Sequence, residues 1–233
     1  MTGDSPLHGI GTLREKSLHA ALKTWAARPG DQIEVPVAGY HIDIVRGDLL
    51  IEIQTRNFSA IKPKLTTLLD SHRIRLIHPI PVQRWLVDLD AEAKRQIRRR
   101  KSPKRGRVED IFSELVRIPK LMIHPNLSID VLLIHDEEIR RDDGKGSWRR
   151  KGRSIYDRRL LAVIEHIPFA TPADFGALLP TDLPDTFTTG DLKSSLSLTP
   201  RLAGKMAYCL KHMGVIEQCG KRGRAYLYHL TRK

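Results

Sequence analysis

The sequence predicts an α/β protein: an αβββαβ unit, an α/β extension, and a C-terminal unit of helices ending in a hairpin. Three observations carry that expectation. Residues 40–54 are apolar and rich in β-branched side chains on both sides of Gly47-Asp48, the pattern of a tight hairpin. Apolar residues at helical spacing flank this hairpin, at Leu18, Ala21, Leu22 and Trp25 before it and at Ile61, Leu65, Leu68 and Leu69 after it. Near the C-terminus, Thr199-Pro200 supplies an N-cap and a first-turn proline for a helix with a Leu202, Met206, Leu210, Met213 stripe, which Gly214 stops.

Taken in order, residues 12–28 read as a helix ended by Pro29-Gly30, and residues 32–37 and 40–54 as three strands. Residues 59–71 are helical, and 73–78 form a strand that should stop before Pro79. Residues 1–80 make the core. Residues 81–139 extend it with a strand near 82–90, a basic loop over 94–107, an amphipathic helix from Val108 to Val116 and a buried strand from Leu127 to Ile134. Residues 140–154 are polar, Gly-containing and charged, which reads as a linker. Residues 155–233 form the last unit: a helix through Ile155, Leu160, Leu161, Val163 and Ile164, a short helix over 189–196, the helix from Pro200, and two strands joined by residues 220–224.

The chain has 233 residues and 40% hydrophobic content, enough to bury a core. No apolar run approaches the roughly 20 residues of a membrane helix, and the first residues lack the pattern of a signal peptide. Cys209 and Cys219 have no metal-site or redox spacing, so the expectation is a reduced, cytoplasmic setting, beside the nucleoid if the source is prokaryotic. The net charge is +13 and is carried unevenly: residues 1–93 are neutral, with 11 basic and 11 acidic side chains. A neutral first part and a basic second part suggest chemistry in one and a grip on a polyanion in the other, DNA being the usual candidate. A basic face for an acidic protein partner is the alternative.

With Gly47-Asp48 as the loop, Arg46 meets Leu49, Asp43 meets Glu52 and His41 meets Gln54. Opposed side chains lie roughly 5 Å apart, and like charges there repel. Burial among Ile42, Ile44, Ile51 and Ile53 would raise that cost. A divalent cation between Asp43 and Glu52 is one way to offset it. The chain has no phosphate-binding GxxxxGK[ST] loop, HExxH or GxSxG motif.

The element order and these residues resemble the PD-(D/E)XK nuclease superfamily, the fold of restriction endonucleases. That pattern has a Glu on the first helix, an Asp on the second strand and Glu-x-Lys on the third; Glu15, Asp43 and Glu52-Ile53-Gln54 stand at the matching positions, over residues 10–80. The resemblance implies a restriction-endonuclease-like core cutting DNA with Mg²⁺ or Mn²⁺. Asp43 and Glu52 would be its metal ligands, and Glu15, Asp43, Glu52 and Gln54 its catalytic set. Gln54 departs from the commoner Lys and brings no charge; Lys62 or Lys64 on the following helix is a candidate replacement. Glu15 also fits a plain capping box with Thr12.

The C-terminal helices and hairpin resemble a winged helix, which implies DNA binding. Arg201, Lys205, Tyr208 and His212 share one face of its last helix, away from the apolar stripe, where a recognition helix meets the major groove. Lys221, Arg222 and Arg224 would sit at the tip of the wing, against phosphate. Arg99, Arg100, Lys101, Lys104 and Arg105 would clamp phosphates beside the core. A homodimer suits a duplex cut on both strands. A non-catalytic DNA-binding regulator, or an adaptor docking a protein partner through the winged helix, is the alternative.

Overall fold

The computed structural model describes residues 17–231. Its centre is a mixed sheet of seven strands. Helix α1 (Ser17–Ala26) leads into strands β1 (Gln32–Val37), β2 (Tyr40–Arg46) and β3 (Leu49–Ile53). Helix α2 (Phe58–Leu68) crosses over to β4 (Arg73–Leu89), which runs parallel to β3. The αβββαβ order expected from the sequence is therefore present. Strand β5 (Gln96–Lys101) turns back along the far half of β4; β6 (Leu127–Arg141) lies parallel to β4, and β7 (Ser154–Phe169) antiparallel to β6. Between β5 and β6 the chain makes short helical turns, including α3 (Phe112–Leu115).

The hairpin holds the expected register: Arg46 pairs with Leu49, Val45 with Leu50 and Ile44 with Ile51. Gly47 takes a φ of +57°, the left-handed backbone that such a two-residue loop requires.

Both faces of the sheet are covered. On one, Leu18 and Leu22 of α1 bury Ile44, Ile51, Ile53, Ile77, Leu132 and Ile134. On the other, Leu65 and Leu68 of α2 and Phe112 and Leu115 of α3 join Leu50, Leu76, Ile129 and Val131 in one larger core. That core continues without a break into the C-terminal helices α4 (Pro172–Gly176), α5 (Thr189–Ser195) and α6 (Pro200–His212), through Phe175, Leu192, Ala203, Met206 and Leu210. A two-stranded hairpin, β8 (Ile216–Arg222) and β9 (Ala225–Leu230), completes the chain. Among the described residues no helix is long and apolar enough to cross a membrane.

Several sequence expectations are corrected. Residues 140–154 are no linker: Arg140 pairs with Ile155 and Arg141 with Ser154, so they close a β-hairpin. The helix expected from Ile155 is the first half of β7. Register shifts in the β6–β7 pairing at Leu133/Ile134, His135/Asp136 and Ile139/Arg140 break the two-residue alternation, and the remaining apolar spacing mimics a helix. The basic loop 94–107 contains β5, all of whose residues are exposed. The strand expected to stop before Pro79 continues to Leu89. Ile77 and Pro81 accept main-chain bonds on the β3/β5 side of β4, from the amides of Gln54 and Gly106 at 2.9 Å each. Alternation therefore turns Pro79 and Pro81 toward that side too, where they have no N–H to leave unpaired.

Candidate functional site

The predicted carboxylates meet at the end of the hairpin distant from its turn. Asp43 and Glu52 line one open cleft of about 400 Å³, together with His19, His41, Gln54, Asn57 and Lys64. The strand ladder stops one pair short of them, at Ile44–Ile51. Ile42 lies in the core beneath α2 and Ile44 in the core beneath α1, so the strand turns over at Asp43. Asp43 Oδ2 accepts the Ile53 amide at 2.8 Å and lies 3.2 Å from His19 Nε2 of α1. Glu52 is buried and receives a bond from Lys64 Nζ of α2, which also bonds the His41 carbonyl.

These partners offset the like-charge contact read from the sequence. Burial pushes Asp43 toward neutrality, but His19, the Ile53 amide and the Lys64 charge outweigh it and hold the carboxyl below its usual range. Glu52 goes the other way. Burial raises its pKa, the Asp43 charge raises it further, and the Lys64 bond only partly compensates. Two neighbouring carboxyls are thus driven apart, one toward the anion and one toward the acid, as in sites that use paired carboxylates.

Gln54 lines the cleft beside Glu52, but its amide is engaged elsewhere. Its Nε2 donates to the carbonyls of Arg56 and Asn57, at 2.7 and 3.1 Å, bracing the turn into α2. The Gln54 carbonyl in turn faces Nδ1 of the buried His78 at 2.7 Å. The positive charge beside Glu52 comes from Lys64, and Lys62 points out to solvent. Glu15 lies outside the described residues. His19 escaped the sequence reading: it reads locally as one ordinary histidine, and only the packing of α1 on β7 and β3 brings it to the cleft.

Residues 16–170 match a family described as a domain of unknown function, DUF8091. The chain belongs to this family. The DUF8091 match ends one residue beyond β7, so it takes in the whole seven-stranded sheet and leaves the C-terminal helices and hairpin outside. An uncharacterized protein of Treponema pallidum (strain Nichols) is 33% identical over 221 residues, covering 94% of this chain and 86% of the relative. No solved structure matches.

In this DUF8091 chain the basic residues singled out from the sequence lie on β5 and the loop after it, on α6, and on the β8–β9 hairpin. Arg99 and Lys101 stand over the Trp85 ring, 5.2 and 5.5 Å from its centroid, and Arg99 also pairs with Glu137 at 2.7 Å. Arg100, Lys104 and Arg105 are exposed on β5 and the loop after it. On α6, Arg201 and Tyr208 are exposed, His212 lies against Tyr208 with the rings tilted by 38°, and Lys205 is half-buried. Burial, with Arg201 and Arg117 close by, lowers the Lys205 pKa. The β8–β9 hairpin turn is tighter than expected. It is Gly223-Arg224 alone, so Lys221 and Arg222 belong to β8, with Lys221 over the Tyr226 ring and Arg222 3.6 Å from Asp191.

Proposed function

We propose that this chain is a divalent-metal-dependent DNA endonuclease with a restriction-endonuclease-like core and a winged-helix DNA-binding unit. The observation that carries the reading is the convergence of Asp43, Glu52 and Lys64 in one cleft at the end of an αβββαβ sheet.

The donor set suits a hard cation. Mg²⁺ and Mn²⁺ prefer oxygen ligands, and Mg²⁺ keeps several waters, so two carboxylates are a sufficient protein share. Among the described residues no group of three or more His, Cys, Asp or Glu side chains is placed to hold a metal. Asp43 and Glu52 would therefore hold the ion with water completing its shell. The ion would make bound water more acidic and stabilise charge on the phosphate. Lys64 supplies the cation that the strand position of Gln54 lacks, within reach of the carboxylate that binds least readily as an anion. His19 and the Ile53 amide keep Asp43 ionised and oriented.

Support for the winged-helix part is topological. Helices α4, α5 and α6 precede the β8–β9 hairpin, and Phe187 forms a single antiparallel bridge to Tyr228 of β9. The exposed Arg201 and Tyr208 and the basic hairpin would meet DNA. Plasmid cleavage with Mg²⁺ or Mn²⁺, against EDTA and against Asp43→Ala, tests the reading; no metal-dependent cutting by the wild type would sink it. One observation favours the non-catalytic DNA-binding alternative: the Gln54 amide is spent on the turn before α2. That alternative expects DNA binding without cleavage in the same assay.

A further inference from the structure

Strands β3 and β5 lie on the same side of β4, but β3 pairs only as far as Ile77 and β5 only from Trp85. Between them a stretch of the β4 edge carries no strand. A pocket of about 490 Å³ opens there. Thr55 lines both this pocket and the carboxylate cleft, so the two adjoin.

Arginines from three adjacent strands dominate the pocket. Arg84 of β4 bonds Asp136 and Glu138, and Glu138 also takes bonds from Arg140 of β6 and Arg158 of β7, at 2.8 and 3.0 Å. Three guanidiniums thus share two carboxylates. Arg150 and Lys104 add two further cations to the wall. The remaining lining acids are occupied: Asp110 accepts the Arg107 amide at 3.2 Å and Glu114 the Phe58 amide at 3.0 Å. Five lining cations, Arg84, Lys104, Arg140, Arg150 and Arg158, thus face three lining carboxylates, and an oxyanion is the group such an excess would hold. Burial and the neighbouring Arg84 charge both weaken the hold of Arg158 on its proton, as expected where positive charge is in excess.

We propose that this pocket binds a phosphate group of a nucleic-acid strand, gripped by Arg158 and Arg140 with Arg150 and Lys104 at its wall. The phosphate chemistry rests on the pocket alone; the assignment to a nucleic-acid strand rests on the nuclease reading. Forked guanidinium donors match phosphate oxygens, and the site would hold the strand one residue away from the carboxylate cleft.

Calorimetric titration of the full chain with inorganic phosphate, in chloride buffer of fixed ionic strength, tests it. Saturable binding is expected, weakened at least tenfold in Arg158→Gln and about threefold in Lys104→Ala. Lys104 is exposed, so its variant reports on the pocket even if Arg158→Gln folds poorly. A short DNA duplex should displace the phosphate from the wild type. No saturable binding, or equal affinity in wild type and both variants, would overturn the pocket. Phosphate that a duplex cannot displace would overturn the strand and leave a free-phosphate site. None of these readouts needs cleavage, so phosphate binding without cutting would condemn the nuclease reading alone, and cutting without phosphate binding the pocket alone.

Discussion

Lys64 on α2 bonds both Glu52 on β3 and the His41 carbonyl on β2, tying together the two strands that carry Glu52 and Asp43. The pair of Lys64 and Glu52 is mostly buried, with side-chain exposures of 15% and 9%. Lys64→Met should therefore lower stability by about 1–3 kcal/mol, the cost of leaving a buried polar group without its partner. Glu52 can take up a proton in response, which keeps the loss below that of a trapped charge. Urea unfolding at neutral pH measures it. On the nuclease reading, cleavage should also fall by about 10²-fold, the effect of losing one positioned charge or donor. Cleavage at the wild-type rate would show that Lys64 is structural only.

The two carboxyls should give opposite pH slopes. Glu52 has a raised folded pKa, so the folded state binds its proton more tightly than the unfolded chain does. Its contribution to stability is complete below the ordinary glutamate value, 4.5, and is lost as pH rises through the raised one. Asp43 has a lowered folded pKa; its contribution is present above 3.8 and is lost as pH falls through the folded value. The melting temperature of Glu52→Gln relative to wild type should therefore rise with pH just above 4.5 and then level off. A difference that does not change with pH in that window would contradict the burial of Glu52.

On the nuclease reading, Asp43→Ala or Glu52→Ala should abolish metal-dependent cleavage and leave duplex binding within about threefold of wild type, because the basic residues lie on other elements. Loss of duplex binding in either variant would mean that the cleft holds the DNA instead of cutting it.

Gly106 stands where the chain returns to the edge of β4. A Cβ there would lie 2.6 Å from the Pro81 carbonyl oxygen and 2.7 Å from an Ile80 side-chain atom. Gly106→Ala should thus cost about 1–3 kcal/mol, as overpacking does. Thermal unfolding would show it, and an unchanged melting temperature would mean that this turn yields freely.

On the DNA-binding reading, Lys221, Arg222 and Arg224 should contribute through phosphates. Replacing all three with Ala should flatten the dependence of duplex affinity on salt, because fewer counterions are released. A fluorescence-anisotropy titration across salt concentrations reads that slope. Identical slopes in variant and wild type would remove the hairpin from the DNA interface.

The hairpin, the helices around it and the caps of α6 were legible in the sequence because their signals are local. A two-residue loop containing glycine fixes the pairing of its neighbours, and Thr199 caps α6 through its own side chain, accepting the Leu202 amide at 3.2 Å. The register followed, and with it the approach of Asp43 to Glu52. What the sequence could not decide was long-range. Strand β7 was misread because register shifts in its pairing with β6 erase the alternation, and no local signal restores it. Pro79 and Pro81 looked like a strand end; only the absence of a strand beside them makes them tolerable in β4. The neutralisation of the carboxylates was decided by tertiary structure as well. Lys64 and His19 reach them from two helices on opposite faces of the sheet: the sequence offered Lys62 or Lys64 as the cation, but only the packing of α2 selects Lys64, and only the packing of α1 brings in His19.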